Sequence, residues 1–237
     1  MQPIAQLSEA SKLCLDNAKQ YVSDAGLLYS AKSYGHALAL TILCDIELGK
    51  AVMYHLCSKG MVTKDILPPT FLPNFIDKKY DDFVCKTWWV GLVLASNIDS
   101  LVPSIITFCD YSGRISKDEN NHNLSKEAKI QMEKLIEKLK PENKKIFDLL
   151  DFACKGFFVK CCDSQNNLHS PSNVKKGLVK ERIGKIKERI KNGEPFLLLS
   201  FSEVQKNIAK GLLKGAFESI IPIRTDINQL MMPLKSC

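Results

Sequence analysis

Histidine is scarce in this 237-residue chain. Only His36, His55, His122 and His169 are present, which leaves few candidates for proton transfer. There is no phosphate-cradling Walker loop, no GxGxxG after a strand and no serine-nucleophile motif, so standard nucleotide and serine-hydrolase chemistries are excluded. No CxxC pairs stand at zinc-finger spacing. Cys161-Cys162 with His169 has ligands of the right kind but no second cluster, so neither a metal nor another cofactor is expected. The start, MQPIAQLSEASK, lacks a positive segment followed by an apolar run, so no signal peptide is expected. Nine cysteines form no even framework and read as reduced, mostly buried thiols of a cytoplasmic protein. No clean membrane-spanning run exists. Residues 87–109 have the length, but Asn97, Asp99 and Pro103 interrupt them, and two core helices explain the stretch better. Strand-like segments are confined to 196–199 and 220–223, too short for a sheet. We find no repeat and no low-complexity tract.

What remains is helical periodicity. Hydrophobic and charged fractions of 45% and 25% suit an ordinary globule, and one all-helical domain over 1–237 is expected. A first helix is predicted over 8–31, with Leu15, Ala18, Val22, Ala25 and Tyr29 inside. After a turn at Lys32-Ser33-Tyr34-Gly35, a second helix carries Ala37, Leu40, Cys44, Leu48 and Ala51 on one face and Leu38, Ile42 and Ile46 beside it. Apolar on most of its circumference, this helix belongs at the centre of a bundle, ending near Gly60 in a left-handed cap. It nevertheless carries Asp45, Glu47 and Lys50. Glu47 shares a face with Cys44 and Ala51, and a half-buried carboxylate there needs a specific partner, either Lys50 one turn on or Lys86 from the third helix. Asp45 and Glu47 point about 200° apart and cannot chelate one ion. A proline-containing connector (64–77) follows. Further helices are expected over 80–96, 100–111, 125–140 (Ile130, Leu135 and Leu139 inside) and from Pro141 to about 162, with a polar loop at 112–123. A helix from Pro171 to about Asn192, stopped by Gly193 and Pro195, precedes a last helix over 202–220. The expected architecture is an all-α bundle of about eight helices.

The pattern Ala25…Leu28-Tyr29…Ser33-Tyr34-Gly35-His36-Ala37-Leu38-Ala39…Asp45-Ile46-Glu47-Leu48-Gly49-Lys50-Ala51 resembles the AbiV family of abortive-infection proteins, which are placed among the HEPN-type helical bundles. Their hallmark is a hairpin ending in a Glu-Glu-x-Gly-Lys-like motif. Asp45, Glu47, Gly49 and Lys50 are its counterparts here, Asp45 standing one residue earlier than a strict Glu-Glu pair. A weaker echo lies at Lys155-Gly156-Phe157-Phe158-Val159…Pro171. The resemblance implies a HEPN-like antiparallel hairpin at about 8–60 and an anti-phage, toxin-like effector of RNA or the translation machinery. It also implies activation by a phage-derived or host protein trigger and a homodimer. The apolar surplus around Trp88, Trp89, Phe157 and Phe158 points to the dimer as well. Ribonucleases of the wider HEPN group resemble one another in an Arg-x4–6-His motif, in which arginine holds the phosphate and histidine moves protons. It is absent here in its usual form. Arg114 and His122 are too far apart, the late arginines (Arg182, Arg189, Arg224) have no histidine after them, and Lys160 with His169 is a looser pair at best. Enzymatic activity therefore stays open.

Charge is concentrated in one helix. Between residues 173 and 192 stand Lys175, Lys176, Lys180, Arg182, Lys185, Lys187, Arg189 and Lys191 against Glu181 and Glu188; eight cations less two carboxylates supply +6 of the chain's formal +7. Val179, Ile183, Ile186 and Ile190 form one apolar stripe, so the helix is expected to dock on the bundle with its cations outward. Such a field attracts RNA or another polyanion through counterion release; it also fits a merely solvated face. Two function classes stay open: an abortive-infection effector, and a non-catalytic module that recognises RNA or protein through this helix.

Overall fold

The computed structural model describes residues 4–62, 130, 170–203, 206–207 and 210. Three long helices are seen: α1 (Ile4–Ser30), α2 (Tyr34–Ser58) and α3 (Lys176–Phe196), the last preceded by a 3-10 turn at Pro171–Asn173. The expected connector, the helices between 80 and 162, the 87–109 stretch and the loop at 112–123 lie outside the described residues, apart from Ile130. So does most of the last expected helix. Ile130 is helical but 45% exposed, so it is not the core residue its spacing suggested. A lone exposed isoleucine is ordinary, because polar surface is too scarce to cover a globule.

α1 and α2 form the expected antiparallel hairpin. The Ser11 hydroxyl donates to the Ala51 carbonyl at 2.8 Å, and the Cys44 thiol donates to the Ala18 carbonyl at 3.1 Å, so advancing along α1 retreats along α2. Leu15, Ala18, Val22 and Ala25 of α1 pack on Ala37, Leu38, Cys44, Leu48 and Ala51 of α2 in one core. Val179, Ile183, Ile186, Ile190 and Phe196 of α3 complete it.

Both helices of the hairpin end by the same chemistry. α1 stops with Lys32 at φ 62°, its N–H reaching the Tyr29 carbonyl while the Ser33 N–H reaches that of Leu28. α2 stops with Gly60 at φ 68°, its N–H on Cys57 and the Met61 N–H on Leu56. In this capping motif a left-handed residue lets two orphan carbonyls find donors, and an apolar pair seals the end. Met61 and Leu56, both fully buried, are that pair. Gly60 is the expected cap. Gly35, expected in the turn, sits instead in the first turn of α2. A Cβ there would stand 2.6 Å from the Pro171 Cα, so its lack of a side chain admits the 3-10 turn ahead of α3.

α3 runs in the same sense as α2. Pro171 lies at Gly35, Arg182 and Arg189 lie at Asp45, and Phe196 lies at His55. On the other side, Lys19 of α1 pairs with Glu194 at 2.6 Å. The helix does not stop at Gly193. It passes through Pro195 to Phe196, whose fully buried ring meets His55 edge-on at 5.4 Å. Burial of that ring holds the extra turn against the cost of a proline in a helix.

Candidate functional site

The motif residues of α2 divide between two sides of the helix. Asp45 faces α3 and is the fully buried carboxylate, its side chain 1% exposed. Arg189 donates from Nη1 to its Oδ1 at 2.8 Å, and Arg182 donates from Nη2 to its Oδ2. The two arginines are seven residues apart, two helical turns, and they flank Ile186 on the buried side of α3. One carboxylate thus takes a guanidinium on each oxygen, a net single positive charge in a dry place. Burial, with Arg189 beside it, pushes the Arg182 guanidinium down to about 10, still charged at neutral pH.

This arrangement corrects one expectation. Arg182 and Arg189, grouped with the outward cations, are turned inward to neutralise Asp45, because a buried carboxylate without a partner is prohibitive. Asp45 is the deeply buried acid, and Glu47 is the half-buried one expected. Glu47 stands on the other side of α2 and receives the Lys50 ammonium at 2.7 Å, with side chains 14% and 20% exposed. Lys86, the alternative partner expected for it, lies outside the described residues. Glu47 and Lys50 line an open groove of about 490 Å³ with Leu13, Cys14, Asp16, Asn17 and Gln20 of α1. Gly49 is buried between the two sides.

The inward turn of the arginines was readable in principle. Positions 182, 186, 189 and 193 recur at helical spacing beside Val179 and Ile183, so the seam of α3 includes both arginines. Asp45 lies between Cys44 and Ile46 in the most apolar part of α2, which is where a carboxylate must find cations.

The outer face of α3 keeps the lysines. Lys175, Lys176, Lys180, Lys185, Lys187 and Lys191 are all exposed, above a buried stripe of Val179, Ile183, Ile186 and Ile190. Lys185 is paired with Glu181 at 2.6 Å. Among the described residues one histidine and one cysteine lie beside α3, and neither is poised for chemistry. His55 is buried between Phe196 and Phe201, and burial, with Lys59 adding to it, pushes the imidazole down to about 4. It is therefore neutral at physiological pH, and its Nε2 has no hydrogen-bond partner among the described residues. Cys44 adjoins the arginines, but burial holds its thiol up at about 12. His36 is exposed, its Nδ1 2.9 Å from the Ser33 hydroxyl, as expected for a residue at a helix start. Lys160, His169, Cys161, Cys162, Arg114 and His122 lie outside the described residues, as do Trp88, Trp89, Phe157 and Phe158. Among the described residues no three His, Cys, Asp or Glu side chains are grouped as metal ligands, and no helix is long and apolar enough to cross a membrane.

The described residues form a helical hairpin with a third helix latched to its second member by a buried acid, and the match to a family model makes this a HEPN-like helical domain. The AbiV family model matches residues 6–192, which takes in α1, α2 and most of α3, and the chain belongs to that family. Membership places it among the proteins of abortive infection, the anti-phage defence. No curated protein and no solved structure matches it.

Proposed function

We propose that this chain is an abortive-infection effector that engages RNA, free or within the translation machinery, through the exposed lysines of α3. A phage-derived or host protein would trigger it. The observation that supports this is the separation of charge on α3. Its two arginines are consumed by Asp45 and hold the helix in place, whereas Lys175, Lys176, Lys180, Lys187 and Lys191 stand exposed and without a described ion-pair partner. A helix fixed by its arginines presents its lysines as a preformed field, and such a field binds phosphates by releasing their counterions. The reading is one of binding, since among the described residues neither His55 nor Cys44 is in a state to move protons or attack a phosphate. We also propose that the chain works as a homodimer, the habit of HEPN-type bundles.

The test is growth arrest on overexpression, with Lys176, Lys180, Lys187 and Lys191 replaced by Gln. The variant should fold, since none of the four touches the core, and it should relieve arrest. Arrest that persists after RNA binding is abolished would move the function to a protein target.

A further inference from the structure

Resting on that reading, we infer that the ligand of α3 is double-helical RNA, held along one edge of the helix by Lys176, Lys180, Lys187 and Lys191. At about 100° per residue these four fall within an arc of about 60° and span about 22 Å of the helix. All four are exposed, and none is in an ion pair among the described residues. The opposite edge is different in kind. It carries Glu181, Lys185 and Glu188, with Lys185 already bound to Glu181 at 2.6 Å. Between the edges, the outermost ridge holds Gly177 and Gly184, each with open space where a Cβ would stand. A rod-like ligand can therefore lie close against the helix backbone on that ridge.

This division decides how a nucleic acid can approach. A helix seated in the major groove of a B-form duplex has phosphates on both flanks. Here such seating would set Glu181 and Glu188 against one phosphate wall. The lysine edge fits contact with a single backbone from outside the groove, and the deep, narrow major groove of A-form RNA excludes a helix in any case.

Pairing state follows from what the face lacks. Its exposed side chains are lysine, glutamate, Asn192 and Pro195, with no aromatic among them. Proteins that hold single strands regardless of sequence add aromatic platforms on which bases stack, which offsets the ordering of a flexible chain. α3 offers phosphate contacts alone. Its lysines are anchored on a rod fixed by Asp45, by the pair of Lys19 with Glu194 and by the buried Phe196. A fixed row of charges is matched best by a fixed row of phosphates, which a duplex supplies without further ordering.

The experiment is fluorescence anisotropy with the full chain and three labelled probes. They are an RNA duplex of about 20 base pairs, one of its strands alone and the DNA duplex of the same sequence, titrated from about 50 to 250 mM KCl. The RNA duplex should bind at least about tenfold tighter than the single strand at equal salt, and the DNA duplex reports whether one backbone is contacted regardless of helix form. Each lysine changed to Gln should reduce the magnitude of the salt slope by about 0.9 for every phosphate it no longer neutralises. Lys185→Gln should leave affinity and slope unchanged. Single-strand binding as tight as that of the RNA duplex would overturn the inference, as would a weakening by Lys185→Gln equal to that by Lys180→Gln. Lysine-dependent binding that favours the single strand would leave the RNA-binding reading standing. No salt-dependent binding to any probe would remove that reading along with this inference.

Discussion

Asp45 and Glu47 are two residues apart on one helix, yet they live in different dielectrics. Asp45 is dry and compensated by two guanidinium groups; Glu47 and Lys50 share the rim of an open groove. Asp45→Asn should therefore destabilise the protein by roughly 3–5 kcal/mol, since it takes the counter-charge from two arginines, one of them buried. Glu47→Gln should cost about 1 kcal/mol or less, the scale of a pair that water can screen. Urea denaturation of the two variants side by side checks this, and equal destabilisation would refute the assignment of the buried acid. His55 makes a second residue-scale prediction. Its pKa is about 4 in the fold, against an ordinary 6.5, so the unfolded chain binds the extra proton across that interval. Stability should be full above pH 6.5 and fall as pH drops towards 4, by a total of about 3 kcal/mol from this group. His55→Leu cancels that contribution alone, because other groups titrate in both proteins. The difference in unfolding free energy between variant and wild type should then grow as pH is lowered. A difference independent of pH would mean that His55 is solvated. Near pH 7 the variant should be no less stable, because the Nε2 it removes has no described partner.

At the scale of elements, the glycines of the described helices serve different ends. Gly35 is sterically required: Pro171 occupies the space a Cβ would need. Gly177 and Gly184 meet nothing within 4 Å, so no packing contact of the described residues requires them and in the free protein they loosen α3. Gly184→Ala should stabilise the protein by about 0.5–1 kcal/mol, and Gly35→Ala should destabilise it by roughly 1–3 kcal/mol through the displaced turn. Thermal unfolding of the pair, with opposite signs expected, tests both. The hairpin was legible from the chain because its apolar positions repeat at the helical period and because Gly60 needs a left-handed φ. The end of α3 was not legible. Gly193 and Pro195 are local stop signals, and the burial of Phe196 against His55 that overrides them is a contact across 141 residues. The role of Gly35 was hidden for the same reason, since its neighbour Pro171 is remote in sequence.

At the scale of the molecule, the family motif marked the right stretch of α2, while the chemistry inside it needed the third helix to be seen. Counting cations between 173 and 192 does not separate Arg182 and Arg189, which are spent on Asp45, from the lysines that face outward. Only the angular position of each residue relative to the Ile186 seam does so. The same separation constrains the proposed homodimer. A symmetric dimer places the same patch of both copies together. The edge of Lys176, Lys180, Lys187 and Lys191 carries four uncompensated positive charges, so two such edges would repel, and the twofold seam must lie elsewhere on the chain. Light scattering at micromolar concentration should give twice the 26.6 kDa of one chain. The variant with those four lysines changed to Gln should remain dimeric, because the substitutions leave the seam untouched. Raising salt from about 50 to 250 mM should likewise leave the mass unchanged while weakening RNA binding steeply. A monomer in the wild type would refute the dimer outright, and a dimer that the four substitutions dissociate would place its seam on α3 and make the lysine edge an interface between copies.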